Sequence, residues 1–198
     1  MARKIVLCIT ACVMLLFVTA CGNSSTFRHG SWDGNTYTSK FLGLKLELDS
    51  YWIMTSDETL AKAAGISDMS DSNILTVFNN GGTISEMSAL GSGGSSVSIT
   101  VQDNDTSETP AEEDFISESV AHLKADFDAS GFENTVEKDT VRFLGKDTDC
   151  IYLAYTAYNI SSHELIIPIF KSHYTAVVTF SADSRSGLNT LVGMTSAV

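Results

Sequence analysis

The feature that most limits the possible folds is a series of strand-like segments in the last third of the chain. Four segments, separated by short polar turns, span 134–143, 149–158, 163–171 and 174–181. In the last three, both alternating sets of side chains are largely apolar. Such strands are usually covered on both faces. We therefore predict an α+β fold, with a mostly antiparallel β-sheet flanked by helices on both faces.

Candidate strands also occur earlier in the chain. Alternation of leucine with other residues predicts a strand over 42–48, with 36–38 as its hairpin partner. Further strands are predicted over 74–78, 84–90 and 97–101. Pro168 cannot donate a backbone hydrogen bond, so it should lie at a sheet edge or a bulge.

Three helices are predicted from start and stop signals. Thr55 and Glu58 have capping-box spacing before a short helix that would end at Gly65. Thr109 and Pro110 would start a second helix, closed by Gly131. Its apolar stripe would contain Ile116, Val120, Leu123 and Phe127. The last helix, over 184–196, would be capped by Asp183 or Ser184 and would bury Leu188, Leu191 and Val192.

The first 20 residues have the order of a bacterial export signal. Arg3 and Lys4 precede an uncharged, mostly apolar run that ends at Ala20. The sequence Val18-Thr19-Ala20-Cys21 resembles the lipobox of bacterial lipoproteins. That resemblance implies cleavage between Ala20 and Cys21, and diacylation of the Cys21 thiol. The alternatives are a secretory signal cut after Ala20 without lipidation, or a retained membrane helix.

Removal of this leader would change the charge and the cysteine chemistry. The whole chain has 12 basic and 24 acidic residues and a formal charge of −12. Without residues 1–20, 10 basic residues remain against 24 acidic ones, which gives −14. Such acidity argues against nucleic-acid binding. Cys8 and Cys12 would leave with the leader and Cys21 would carry lipid. Cys150 would then be the remaining thiol, so no intrachain disulfide is expected.

The predicted organisation has three parts: a signal peptide over 1–20, a lipidated cysteine with a flexible spacer over 21–35, and one globular domain over 36–198. The domain resembles small bacterial lipoproteins with a PsbP-type domain. The resemblance rests on the sequences of 37–44 and 141–146, and on Trp52 with the helix after it. It implies an α/β/α sandwich and an accessory or interaction role, and it carries over no catalytic residue. No cofactor is predicted.

The chain contains no recognisable catalytic motif. His29 lies in the predicted spacer and His122 on the outer side of the second helix. His163 and His173 would lie near opposite ends of one strand, which separates them too far to share a metal ion. Cys150 lies among apolar neighbours in a strand, where we expect a buried, unreactive thiol.

Pairs of acidic residues are the one weak indication of a ligand. Asp103 and Asp105 begin a segment similar to the start of a calcium loop. Glu108 stands where such a loop has glycine, and Asp114 where it has its last glutamate. Solvated turns are therefore the better interpretation. Asp126 with Asp128, and Asp147 with Asp149, are interpreted in the same way.

These observations predict an extracytoplasmic lipoprotein, anchored to a bacterial membrane through Cys21 and without enzymatic activity. It would act as an accessory or binding module, with a possible protein partner at the cell surface. Two alternatives remain. One is a surface hydrolase whose site is assembled without a motif, and the other is a carrier of a small ligand.

Overall fold

The computed structural model describes residues 26–104, 111–157 and 160–198. Within these ranges the chain forms an α+β fold that is mostly antiparallel sheet, as the sequence predicts. Seven strands make the larger sheet. They are β4 (Ile53–Met54), β5 (Thr83–Leu90), β6 (Ser96–Asp103), β7 (Glu133–Phe143), β8 (Lys146–Ala157), β9 (Ile160–Lys171) and β10 (Tyr174–Ala182), in the order β4-β5-β6-β10-β9-β8-β7.

A smaller sheet packs against one face of the larger one. It contains β1 (Ser31–Asp33), β2 (Thr36–Ser39), β3 (Leu44–Glu47) and β11 (Thr195–Ala197), in the order β1-β2-β3-β11. Four helices complete the described part of the chain. They are α1 (Asp57–Ala64), α2 (Asp71–Asn79), α3 (Glu112–Ser130) and α4 (Arg185–Val192).

The larger sheet separates two hydrophobic cores. One core lies between this sheet, the smaller sheet and the helices α1, α2 and α4. The other lies between α3 and the strands β7 to β10. In β8, Cys150 and Tyr152 face the first core, whereas Ile151 and Leu153 face the second. Covering on both faces explains why neither set of side chains in this strand is predominantly polar, and it confirms the predicted layers.

The structure confirms the positions of several predicted strands and the C-terminal ends of two predicted helices. The hairpin β2–β3, the strands β5 and β6 and the meander β7 to β10 lie where the patterns place them. Gly65 and Gly131 end α1 and α3 in the left-handed conformation that favours glycine. The first helix is capped one residue later than predicted, because the hydroxyl of Ser56 accepts from the Thr59 amide at 3.3 Å. Thr109 and Pro110 lie outside the described residues.

The predicted strand over 74–78 is wrong. These residues belong to α2, which begins after Ser70. Ile74 and Phe78 are four residues apart, which places both on one helical face, and both are buried there. Apolar residues at 74, 75, 77 and 78 fit a short buried strand equally well from sequence alone.

The last predicted helix is too long. Ser184 caps α4 as expected, accepting from the Gly187 amide, but the helix ends at Val192. The chain then reverses, and Thr195–Ala197 pairs with Leu44–Leu46 of β3. This pairing depends on a strand about 150 residues earlier in the chain, so no local pattern predicts it.

Pro168 lies in an interior strand but at a local edge. β9 pairs with β10 on one side over its whole second half. Its pairing with β8 ends at Ile166. Pro168 therefore has a paired strand on the β10 side only, which is the local edge that the prediction allowed.

The prediction of a flexible spacer over 21–35 is wrong for residues 26–35. Phe27 is fully buried, and Ser31–Asp33 pairs with Thr36–Thr38 as strand β1. We call residues 26–33 the docked segment. Its glycine and polar residues suggested mobility, but Phe27 and Trp32 supply apolar surface that the domain buries. Residues 21–25 lie outside the described ranges.

Candidate functional site

A buried carboxylate holds the docked segment on the domain. The register of β5 and β6 shifts between Ser85 and Met87, which is the mark of a β-bulge. The extra residue turns Glu86 toward the same core as Ile84 and Met87, and all three are almost completely buried. Bulges commonly re-aim one side chain in this way.

Three donors from other parts of the chain converge on Glu86. The phenol of Tyr37 donates to Oε1 at 2.6 Å, and the amide of Gly30 donates to the same atom at 2.7 Å. Nδ1 of His29 lies 2.6 Å from Oε2. Hydrogen bonds to an ionised carboxylate are the strong kind. Both oxygens of Glu86 therefore have hydrogen-bond partners. Without them, burial of this carboxylate would strongly destabilise the fold.

Two further acids receive the docked segment. The other ring nitrogen of His29 lies 3.6 Å from Asp57 at the start of α1. The amide of His29 donates to Asp71 at 3.0 Å, and Arg28 pairs with the same carboxylate at 3.2 Å. Burial alone would lower the pKa of His29, but the hydrogen bond and charge of Glu86, together with Asp57, raise it above its usual value. Burial, followed by the charge of Glu86, raises the pKa of Tyr37.

Aromatic packing fixes the start of the segment. The ring of Phe27 meets those of Phe41, Phe78 and Tyr174 at centroid distances of 5.1, 5.4 and 5.8 Å. Gly30 passes so close to the domain that a Cβ atom there would lie 2.2 Å from the Tyr37 hydroxyl oxygen. Only glycine allows this approach without displacement of the tyrosine.

The geometry around Glu86 favours a structural clamp over an active site. The His29 side chain is 11% exposed and the Glu86 side chain is inaccessible. The hydroxyl that touches the carboxylate is a phenol whose raised pKa keeps it protonated. A His–carboxylate pair would activate a nucleophile only if that nucleophile reached the free side of the imidazole. Here that side faces Asp57.

A second buried carboxyl, Glu164, has a different character. It lies on the α3 side of β9 and is 7% exposed. Within the described residues it makes no hydrogen bond and no ion pair. Its cross-strand neighbours are Leu153 and Ser181. Burial raises its pKa to about 7.

The residues proposed from the sequence are dispersed in the structure. Ala20, Cys21 and Asp105 lie outside the described residues, so lipidation and the calcium loop stay predictions. Asp103 lies 2.5 Å from Nδ1 of His173, and this imidazole occupies one of its oxygens. The other acid pairs serve in surface contacts: Asp128 with Lys124 and Asn134, Asp147 with Arg142, and Asp149 with Lys138 and Thr140.

Cys150 and the remaining histidines lie where the sequence places them. Cys150 is fully buried in β8, and burial, followed by Asp139 and Asp149, raises its pKa to about 12. His163 contacts the Tyr152 hydroxyl at 2.7 Å, far along β9 from His173. His122 is exposed on α3. Across the described ranges, no group of three or more His, Cys, Asp or Glu side chains is placed to hold a metal ion.

Sequence reasoning missed His29, Glu86 and Glu164. One local signal was present for Glu86: Ile84 and Met87 are both apolar but three apart, which breaks the two-residue period of β5 and indicates a bulge. No pattern could pair His29 with a residue 57 positions away.

Comparison with known proteins adds no relationship. Neither a scan of protein-family models nor a search of curated proteins found a match to this chain. In the described part of the chain, no helix has the length and hydrophobicity to cross a bilayer.

Proposed function

We propose that this protein is an extracytoplasmic lipoprotein, anchored through Cys21, whose domain acts as a non-enzymatic binding or accessory module. The lipobox supports the anchor. The observation that carries the role of the domain is the docked segment, which starts five residues after Cys21. The clamp at Glu86 holds Gly30 on the larger sheet, which supports a domain held close to an anchor at Cys21.

The docked segment limits the distance between the domain and a lipid anchor at Cys21. A flexible spacer that extended to Asn35 would leave the distance and orientation of the domain relative to the anchor variable. With Phe27 fixed, six residue steps separate it from Cys21, a reach of at most about 20 Å. The domain would thus lie close to the lipid surface, with the Phe27–Tyr174 end of its larger sheet toward the anchor.

Replacement of cysteines in the leader region tests the anchor. We expect Cys21→Ala to move the protein from the membrane fraction to the soluble fraction, and to abolish labelling by a radioactive fatty acid. Cys12→Ala is the matched control, since it removes a thiol from the apolar run and leaves the lipobox intact. Membrane retention and labelling of the Cys21→Ala protein would refute the proposal.

The hydrolase alternative finds a partial basis in Glu164. A buried carboxyl with a raised pKa is a feature of catalytic acids. Acid–base hydrolysis of a glycoside, however, uses two carboxyl groups facing one bond. Glu164 makes no ion pair or hydrogen bond to a second titratable group in the described residues. The hydrolase therefore stays the second candidate.

A further inference from the structure

One half of the larger sheet presents an unusual surface on its α3 side. We call it the hydroxyl face. It comprises side chains from three neighbouring strands that share one property, a hydroxyl group. They are Thr83, Ser85 and Ser88 of β5, Ser96, Ser98 and Thr100 of β6, and Thr179 and Ser181 of β10.

The alternation of the strands fixes the direction of these side chains. In β6 the intervening residues Val97, Ile99 and Val101 are buried in the core on the opposite side. In β10 the same is true of Val178 and Phe180. Because successive side chains of a strand point to opposite faces, the hydroxyl-bearing residues must point outward.

The larger part of this face is left open by α3. The helix packs mainly on β7 and β8, at the other side of the sheet. The hydroxyl-bearing residues of β5 and β6 are partly exposed. Among the described helices, those that pack on these two strands are α1 and α2, on the opposite face. Within the described residues, no side-chain hydrogen bond of these eight residues is found. Seven of them are partly exposed, whereas Thr179 is buried at 8% exposure.

The hydroxyl face carries no charge in a strongly acidic chain. The other outward residues of these three strands are Leu90, Gln102, Thr175 and Val177, which are also uncharged. With 36 charged residues in the protein, an open sheet face ordinarily receives some of them. The hydroxyls also form a regular array, about 5 Å apart across the strands and about 7 Å apart along them.

Two different borders enclose the array. On one side, the buried carboxyl of Glu164 lies beside Ser181 across β9 and β10. On the other, Leu90 pairs directly with Ile53 of the edge strand β4, and the two are 55% and 71% exposed. Directly paired residues share a face. Tyr51, two residues before Ile53, is 81% exposed.

We propose that the hydroxyl face binds a neutral, hydroxyl-rich polymer, that is, a glycan. Nucleic acid or an anionic lipid would require basic residues, which this face lacks. A protein partner would favour an aromatic and arginine-rich centre. Hydroxyls can donate to and accept from a sugar, and the exposed Leu90 border can meet the apolar face of a ring.

This inference rests on the proposed binding role but not on the lipid anchor. The test therefore uses the full chain in a polyoxyethylene detergent, which offers no sugar. Neutral chito-, cello- and malto-hexasaccharides are titrated into isotopically labelled protein, and amide shifts are followed by NMR. We expect millimolar or tighter binding of at least one of them, with the largest shifts on β5, β6 and β10.

Matched variants locate the site. Ser98→Glu puts a charge at the centre of the hydroxyl face and should weaken binding at least tenfold. Ser117→Glu puts the same charge on the exposed side of α3 and should leave affinity unchanged.

Two results would overturn the proposal. One is the absence of shifts with all three hexasaccharides at millimolar concentration, and the other is binding that Ser98→Glu and Ser117→Glu affect equally. Either result leaves the fatty-acid labelling of Cys21 untouched, so failure here is distinguishable from failure of the anchor.

Discussion

Among single residues, buried Glu164 makes the free energy of unfolding depend on pH. Its carboxyl has a usual pKa of 4.5 and titrates at about 7 in the folded protein, because burial disfavours the charged form. The folded state therefore holds the proton more tightly than the unfolded state does. The resulting stabilisation is complete below about pH 4.5 and is lost as the pH rises through about 7.

Glu164→Gln should remove this loss. We expect the free energy of unfolding of the variant, relative to that of the wild type, to be higher at pH 8 than at pH 5 by up to about 3 kcal/mol. Urea denaturation at the two pH values measures the effect. Glu118→Gln, on the exposed side of α3, is the control and should show no such gain. An equal offset between Glu164→Gln and the wild type at both pH values would contradict the assignment.

The clamp at Glu86 requires a residue without a side chain at position 30. A methyl group there would collide with the Tyr37 phenol and the Thr38 carbonyl. We expect Gly30→Ala to lower the free energy of unfolding by about 1–3 kcal/mol, and to raise hydrogen exchange in the docked segment. Gly193→Ala is the comparison, since Gly193 has an ordinary helical φ of −62°. Unchanged exchange in Gly30→Ala would show that the segment tolerates the displacement.

At the scale of elements, the docked segment should respond to pH through His29. The pKa of His29 is raised by Glu86 and Asp57 against the opposing effect of burial. Docking is therefore strongest below about pH 6.5, where the imidazole is charged in both states, and weakens as the pH rises through the raised value. Trp32, whose ring lies 5.3 Å from that of Tyr37, reports docking by fluorescence once Trp52 is replaced by phenylalanine.

A variant separates this effect from other titrations. His29→Gln in the same Trp52→Phe background should show a nearly flat fluorescence profile between pH 5 and pH 8. The parent should show a transition above pH 6.5. An identical transition in both proteins would assign the effect to another group.

Local sequence patterns predict some of these elements and not others. Strands apolar on both faces predicted the covered sheet, because burial on two sides demands that composition. The apolar residues Ile74 and Phe78 fit the helix and strand periods equally well, so the packing of one helical face decided α2. The bulge at Glu86 and the strand β11 depend on register with distant strands, and local sequence carries little trace of them.

At the scale of the whole molecule, the docked segment changes how an anchor would act. A long spacer would leave the acidic domain free to turn away from an anionic membrane. The docked segment, which starts five residues after Cys21, would instead hold one end of the larger sheet near the lipid. The Leu90 and Ile53 border lies at the opposite end of β5 from Thr83, and would point away from the anchor.

The most direct test of this account is the mass of the N-terminal peptide from protein purified out of its native membranes. We predict that the mature chain begins at Cys21 and carries a diacylglyceryl group on its sulfur, with residues 1–20 absent. A mature chain that retains residues before Cys21, or that begins at Cys21 with an unmodified thiol, would contradict the account.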